Sequence, residues 1–191
     1  MGANGVSGLV MAIRSLGPAG IGSRRQIAFR GVNRPNALDY NPGLQRHHLL
    51  PLQLLSRASL RPLLREVGRH RLNFDDFRYN GLLLPARDDA VVAYGLPLHR
   101  GPHRAYNAMV IERVGQIEAG WAAARVRRPH TATEDAVQRL TLLQRALRRR
   151  LLDQRRPIQL NRRDPLRRNV DFAELDAMAD LLWPATALPE L

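Results

Sequence analysis

Two adjacent histidines lie in the stretch Gln45-Arg46-His47-His48-Leu49-Leu50-Pro51, and two more, His99 and His103, lie four positions apart in His99-Arg100-Gly101-Pro102-His103. Imidazole is a common ligand for divalent metals and, with an ordinary pKa near pH 7, a ready proton acceptor. Neighbouring residues of an extended chain point to opposite sides, so one member of the pair can ligate a metal while the other faces a substrate. The four-residue spacing lets His99 and His103 close on one ion at the start of a helix. Between the clusters stands Asn80-Gly81, followed by the apolar run Leu82-Leu83-Leu84. Four of the six histidines fall in these two clusters. That concentration points to a metal-dependent hydrolase.

The elements that must hold these residues in place are drawn from 191 residues, enough for one domain with a real core and a smaller appendage. There is no cysteine, which excludes disulfides, thiolate zinc sites and cysteine nucleophiles, and leaves the compartment open. The net charge of +13 is carried by arginine without lysine. A polyanion is the partner such a charge suits, nucleic acid before a membrane surface. Arginine-rich codon usage is the plainer account of the charge, which counts only together with the histidines. No apolar run reaches membrane-spanning length, and Leu9–Ile13 is too short for a secretory core. The glycines from Gly17 to Gly22 lack the preceding strand and following lysine of a phosphate loop.

Residues 1–34 read as a disordered leader, and the turn formers from Asn33 to Pro42 open the ordered chain. A short strand or hairpin arm is expected from His47 to Leu50. Leu60, Leu63, Leu64 and Val67 recur at helical spacing, with Ser59 as cap and Gly68 as stop. Asn73 to Arg78 reads as loop, Leu82–Leu84 as a buried strand closed by Pro85, and Asp88 to Tyr94 as a short helix ended by Gly95. A long helix is expected from about Gly101, with Pro102 at its first position and Pro129 as its stop. Its apolar stripe is Tyr106, Met109, Val110, Ile117 and Trp121. The next begins at Thr131, spaced from Glu134 as a capping box, and buries Val137, Leu140, Leu143, Leu147 and Leu151. Asp171 and Glu174 repeat that box for a last helix with Leu175, Met178 and Leu182 inward.

Taken in order, His47-His48, Asn80-Gly81-Leu82-Leu83-Leu84-Pro85 and His99-Arg100-Gly101-Pro102-His103-Arg104-Ala105-Tyr106 resemble the HNH and endonuclease VII superfamily of nucleases. The branch they look like is the one named after its Ala-His-His signature (AHH). Arg46 stands at the alanine position, which contributes no ligand. The resemblance covers about Pro42 to Ile117. It implies an α+β fold: a small ββα-metal (HNH, treble-clef-like) core with mostly helical additions, the Leu60–Val67 helix being an insertion. The organisation expected is a nuclease domain over 35–129, between the leader 1–34 and an arginine-rich helical extension over 130–191. The resemblance further implies that His47, His99 and His103 ligate one divalent metal ion, with zinc, magnesium, manganese and nickel not distinguished. It makes His48 the general base and gives Asn80 the task of hydrogen-bonding the backbone of the loop that holds it.

Phosphodiester hydrolysis needs an activated water and a cation on the developing charge, and three imidazoles leave metal positions open for both water and phosphate. A nearby dication also opposes a second positive charge on His48. Each feature has a plainer reading: a histidine pair as polar filler at a strand end, Asn-Gly as a hairpin turn, His-x-x-x-His as a structural zinc site. The ordered set carries the weight. Arg100 and Arg104 flank the ligands and can hold phosphates bidentately. Of the arginine clusters between Arg145 and Arg168, the helical stripe leaves Arg145, Arg148 and Arg149 outward, where they can follow a DNA backbone. His70 and His130 read as surface residues. The expected function is therefore endonucleolytic hydrolysis of DNA, RNA being the other candidate, with no small-molecule cofactor and no membrane partner. A cytoplasmic location is expected, or secretion with an acidic immunity protein as partner if the chain is a toxin. The alternative is a non-catalytic nucleic-acid-binding protein with a structural zinc, which requires a fourth ligand and no free base.

Overall fold

Strand β1, Leu44–His48, pairs antiparallel with strand β2, Gly81–Pro85, in register from Leu44 opposite Pro85 to His48 opposite Gly81. The computed structural model that shows this describes residues 25–166. The two strands form one two-stranded sheet. All five residues of β2 are buried, which suits its continuous apolar run, whereas β1 mixes buried and exposed positions. The fold is thus mixed, a small antiparallel sheet set among helices.

Helix α1 spans Arg61–Val67, helix α2 is the single turn Phe77–Asn80, helix α3 spans Asp88–Tyr94, helix α4 spans Arg104–Arg125 and helix α5 spans Pro129–Leu152. The core joins Leu49, Leu50 and Leu54 after β1, Leu63 and Val67 of α1, Leu82 and Leu84 of β2, Tyr106, Val110 and Trp121 of α4, and Leu140, Leu143 and Leu147 of α5. The periodic apolar positions predicted for α1, α4 and α5 face this core, Leu64 and Val137 only in part.

Several local expectations change. Ser59 caps nothing: Leu60 precedes α1 without a side-chain cap and Pro62 sits in its first turn. The loop expected to Arg78 closes into α2, because Asp76 accepts a hydrogen bond from the Arg78 amide at its start. Pro129 opens α5 instead of stopping α4, as a residue without an N–H can at a first turn. The Thr131–Glu134 box is absent, since Thr131 Oγ1 donates to the Arg128 carbonyl and Glu134 instead accepts both its bonds from Arg71.

Segments beyond the expected boundaries at 34 and 129 make contacts with the chain between them. Ala28 bridges Asp76, and Phe77 N donates to the Ile27 carbonyl at 2.8 Å. Asn33 Nδ2 donates to the carbonyls of Asn41 and Leu44. At the other end α5 packs along α4, with Trp121 Nε1 donating to Thr133 Oγ1. The leader as far as Arg24 lies outside the described residues, as does the last expected helix with its Asp171 and Glu174 cap.

Gly81 stands opposite His48, and the Phe77 ring fills the space a side chain would take: an added Cβ would lie 2.2 Å from Phe77 Cδ2. Asn80-Gly81 is therefore not a hairpin turn. Gly81→Ala is expected to cost about 1–3 kcal/mol through overpacking. Gly115→Ala, in α4 with nothing within 4 Å of the added Cβ, is expected to stabilise by roughly 0.5–1 kcal/mol. Thermal melts of the two variants check both signs.

Candidate active site

His47 is 1% exposed and closes on His99 and His103: one ligand atom from each of the three lies within 4.8 Å of the others. The ring of His47 lies 4.8 Å from that of His99 and 5.0 Å from that of His103, centroid to centroid. Backbone pairing holds two of the three in place. His47 belongs to β1, paired with Leu82. His99 N donates to the Pro85 carbonyl at 2.6 Å, tying that residue to the end of β2, and Leu98 N donates to the buried Asp164 Oδ2.

His99 and His103 close at the start of a helix, as expected, but the helix begins later than Gly101 and neither lies within it. Gly101 takes a left-handed φ of 72°, Pro102 follows, and α4 begins only at Arg104 with His103 as its N-cap. A turn, not a helix, brings the two imidazoles together.

The pKa values of the three are shifted the same way. Burial lowers His47 well below its ordinary value, and the neighbouring histidines add to this. Burial and His103 bring His99 to about 4. His103 is lowered by burial, opposed by its contact with the Gly101 carbonyl. All three are thus neutral near pH 7, the state a metal ligand requires. Among the described residues His47 Nε2 and His99 Nδ1 are buried without a hydrogen-bond partner. Buried polar atoms are seldom left so, and a divalent cation would satisfy both. The donor set fits such an ion.

The four backbone polar groups of Leu49 and Leu50, immediately after the histidine pair, are all bonded. Leu49 N donates to the Asn80 carbonyl and Leu50 N to Asn80 Oδ1, both at 2.8 Å. Asn80 Nδ2 donates to the carbonyls of Leu50 and Phe74. Tyr106 Oη donates to the Leu49 carbonyl at 2.8 Å, and burial pushes the pKa of this phenol up, so it stays a donor. Asn80 is fully buried. Gln144 of α5 donates to Asn80 Oδ1 and to the Leu72 carbonyl.

His48 is half-buried, with its pKa lowered by burial, raised by Asp75, and lowered by Arg46 and Arg69. Its ring stacks on Phe29, centroids 3.7 Å apart and planes 3° from parallel. Arg100, Arg104, Arg145 and Arg149 are exposed. Arg148 departs from expectation: it is half-buried, and its Nη2 donates to the carbonyls of Arg78 and Gly81, both at 2.7 Å. The carbonyl groups ending α2 draw it inward.

Phe29, Gln144, Arg148 and Asp164 take positions that the sequence does not announce. Only Gln144 leaves a sign there, a polar residue flanked by Leu140, Leu143 and Leu147 on a buried face.

The metal-free protein is expected to lose stability as pH falls. Below about 6.5 the unfolded histidines bind protons, while folded His99 does so only near 4. The unfolded state therefore binds more protons across that window, at a cost of up to about 1.4 kcal/mol per pH unit for each such histidine. Denaturant midpoints at several pH values check the slope.

No curated protein and no solved structure matches the chain. A family comparison does match, over residues 29–147, further in both directions than the stretch from Pro42 to Ile117 that carries the histidine pattern. It takes in Phe29, the whole of α4 and most of α5, the elements that hold the histidines and Asn80. The chain belongs to the AHH family, a nuclease family of the HNH/ENDO VII superfamily with conserved AHH.

Proposed function

We propose that the protein is a metal-dependent endonuclease that hydrolyses phosphodiester bonds of DNA, with His48 as general base and His47, His99 and His103 holding one divalent ion. The observation that carries this reading is the division of the histidine pair. His47 is buried and turns toward two half-buried imidazoles, while His48 lies on the other side of β1 against Phe29. A bound ion would supply Lewis-acid stabilisation of the charge that develops on the phosphate and leaving oxygen.

The chain's own residues do the rest. His48, neutral at rest because burial lowers its pKa, takes the proton of the attacking water at an imidazole nitrogen. Asn80 cannot touch substrate, being fully buried, and acts by locking Leu49 and Leu50 so that the strand end bearing His48 keeps its place. Arg100 and Arg104 beside the cluster hold phosphates, and the exposed Arg145 and Arg149 extend that basic surface. Arg148 supports the site from within. We read residues 29–152 as one nuclease unit. A closed structural zinc site is disfavoured, because among the described residues no fourth histidine or carboxylate joins the cluster.

The purified protein is expected to nick plasmid DNA with a divalent cation and to stop on chelation; cleavage that survives exhaustive chelation would refute the reading. His48→Ala should keep metal and DNA affinity yet lose on the order of 10²–10⁴ in rate. His103→Ala and His47→Ala should lower metal affinity itself, with activity partly recovered at high metal. Calorimetric metal titration separates the two failures, and metal loss by His48→Ala with retention by His47→Ala would reverse the assignment.

Arg145 and Arg149 changed together to Gln should weaken binding to unrelated DNA sequences alike. The slope of log affinity against log salt should shallow by roughly 0.9 for each phosphate no longer neutralised. An unchanged slope would show that they neutralise no phosphate.

A further inference from the structure

The imidazole of a histidine turns about a broad, two-fold torsion, so a base needs something to hold its ring. A hydrogen bond to the second ring nitrogen commonly does this. Among the described residues no hydrogen bond reaches the His48 ring, and what meets it is the flat face of Phe29, 3.7 Å away and within 3° of parallel.

Phe29 is itself anchored from three directions. Its carbonyl accepts a hydrogen bond from Arg46 Nη1 at 3.0 Å, and Arg46 stands two positions before His48, on the same side of β1. Its ring meets the edge of Phe77 at 5.1 Å. Its neighbours are tied to the start of α2 by the Ala28–Asp76 bridge and by the bond from Phe77 N to the Ile27 carbonyl. Phe77 in turn lies where it does because Gly81, opposite His48, has no side chain.

We propose that Phe29 is the positioning residue of His48, a plate that sets the plane of the imidazole and so the direction of its nitrogens. The inference rests on the reading of His48 as the base. Stacking covers a ring face and leaves the edge open, and both nitrogens are on the edge. The proton is then taken in the plane that Phe29 defines. The plainer account is that Phe29 only covers the strand with apolar bulk. The two differ in what they ask of residue 29: bulk accepts leucine, whereas a plate requires an aromatic ring.

The test uses the full-length chain with Phe29→Leu and Phe29→Tyr. With metal and a duplex oligonucleotide, Phe29→Leu should lose on the order of 10²-fold in kcat, the scale of a misplaced catalytic group, with KM and metal affinity unchanged. Phe29→Tyr should restore kcat to near the wild-type value. The second readout is the NMR spectrum of the histidine ring protons in the metal-free protein, the His48 signals being assigned by their absence in His48→Ala. They should lie upfield in the wild type and in Phe29→Tyr, and move downfield in Phe29→Leu as the ring current disappears.

Full turnover by Phe29→Leu overturns the proposal, and so does a tyrosine variant as slow as the leucine one. His48 signals that do not move in Phe29→Leu overturn it whatever the rates show. If the wild type cleaves nothing, or His48→Ala cleaves as well as the wild type, the nuclease reading of His48 falls, while the spectra still decide whether Phe29 orients the ring.

Discussion

The backbone of Leu49 and Leu50 is the constraint on which the rest of the molecule depends. Both side chains are in the core, so four backbone polar groups enter it with them, and each must find a partner there. Asn80 answers three of them with one carbonyl and one amide, and Tyr106 answers the fourth with its hydroxyl. This brings α4 and the end of α2 against the point where β1 ends, and the histidine pair is the last thing the chain makes before that point. An aspartate at position 80 could not donate to the Leu50 carbonyl, and a leucine could not bond at all. The requirement for asparagine is met by its capacity to accept and donate at once. Gln144 then binds α5 to the same oxygen, so α5 also bears on the loop.

The histidine cluster is the converse case, a place where polar atoms are buried and left without protein partners. Three imidazoles within ligand distance, with no carboxylate among them, cannot all be protonated. Burial and their mutual repulsion hold them neutral, which is the condition for binding a cation. The excess of arginine elsewhere sharpens this, since a chain with net charge +13 offers little to offset a further cation inside it. Stability of the folded chain thus draws on the same three side chains that could hold a metal ion.

The cluster of His47, His99 and His103 can be read in the sequence because residue type and spacing carry it, and Asn80 lies against the residues that follow His48. Helices α1, α4 and α5, whose apolar periods are long, can be read likewise. What cannot be read depends on the third dimension. His99 and His103 have a helical spacing, but the left-handed Gly101 and the proline after it make a turn, and glycine announces such a φ no more than it announces flexibility. Arg148 lies in a run of arginines that all look alike in sequence; only the carbonyl groups ending α2, some seventy positions earlier, single it out. Phe29 escapes notice among small residues because an aperiodic stretch looks like disorder. A 3-10 turn and a bridge hold that segment without any period to betray it.

The antiparallel register explains why two identical side chains in succession have different surroundings. With His47 opposite Leu82 and His48 opposite Gly81, the pleat sends one imidazole toward α4 and the other toward Phe29. A slip of one residue would exchange the two faces, placing a single imidazole at the wrong side of each. The register is protected at both ends: Asn80 fastens the residues after His48, and the His99 amide fastens the carbonyl of Pro85, opposite Leu44. Gly81 adds a steric lock, because only a residue without a side chain can stand beside Phe77. The distinction between the side that meets His99 and His103 and the side that meets Phe29 is thus built into the backbone pairing, and the two histidines inherit it from their parity along the strand.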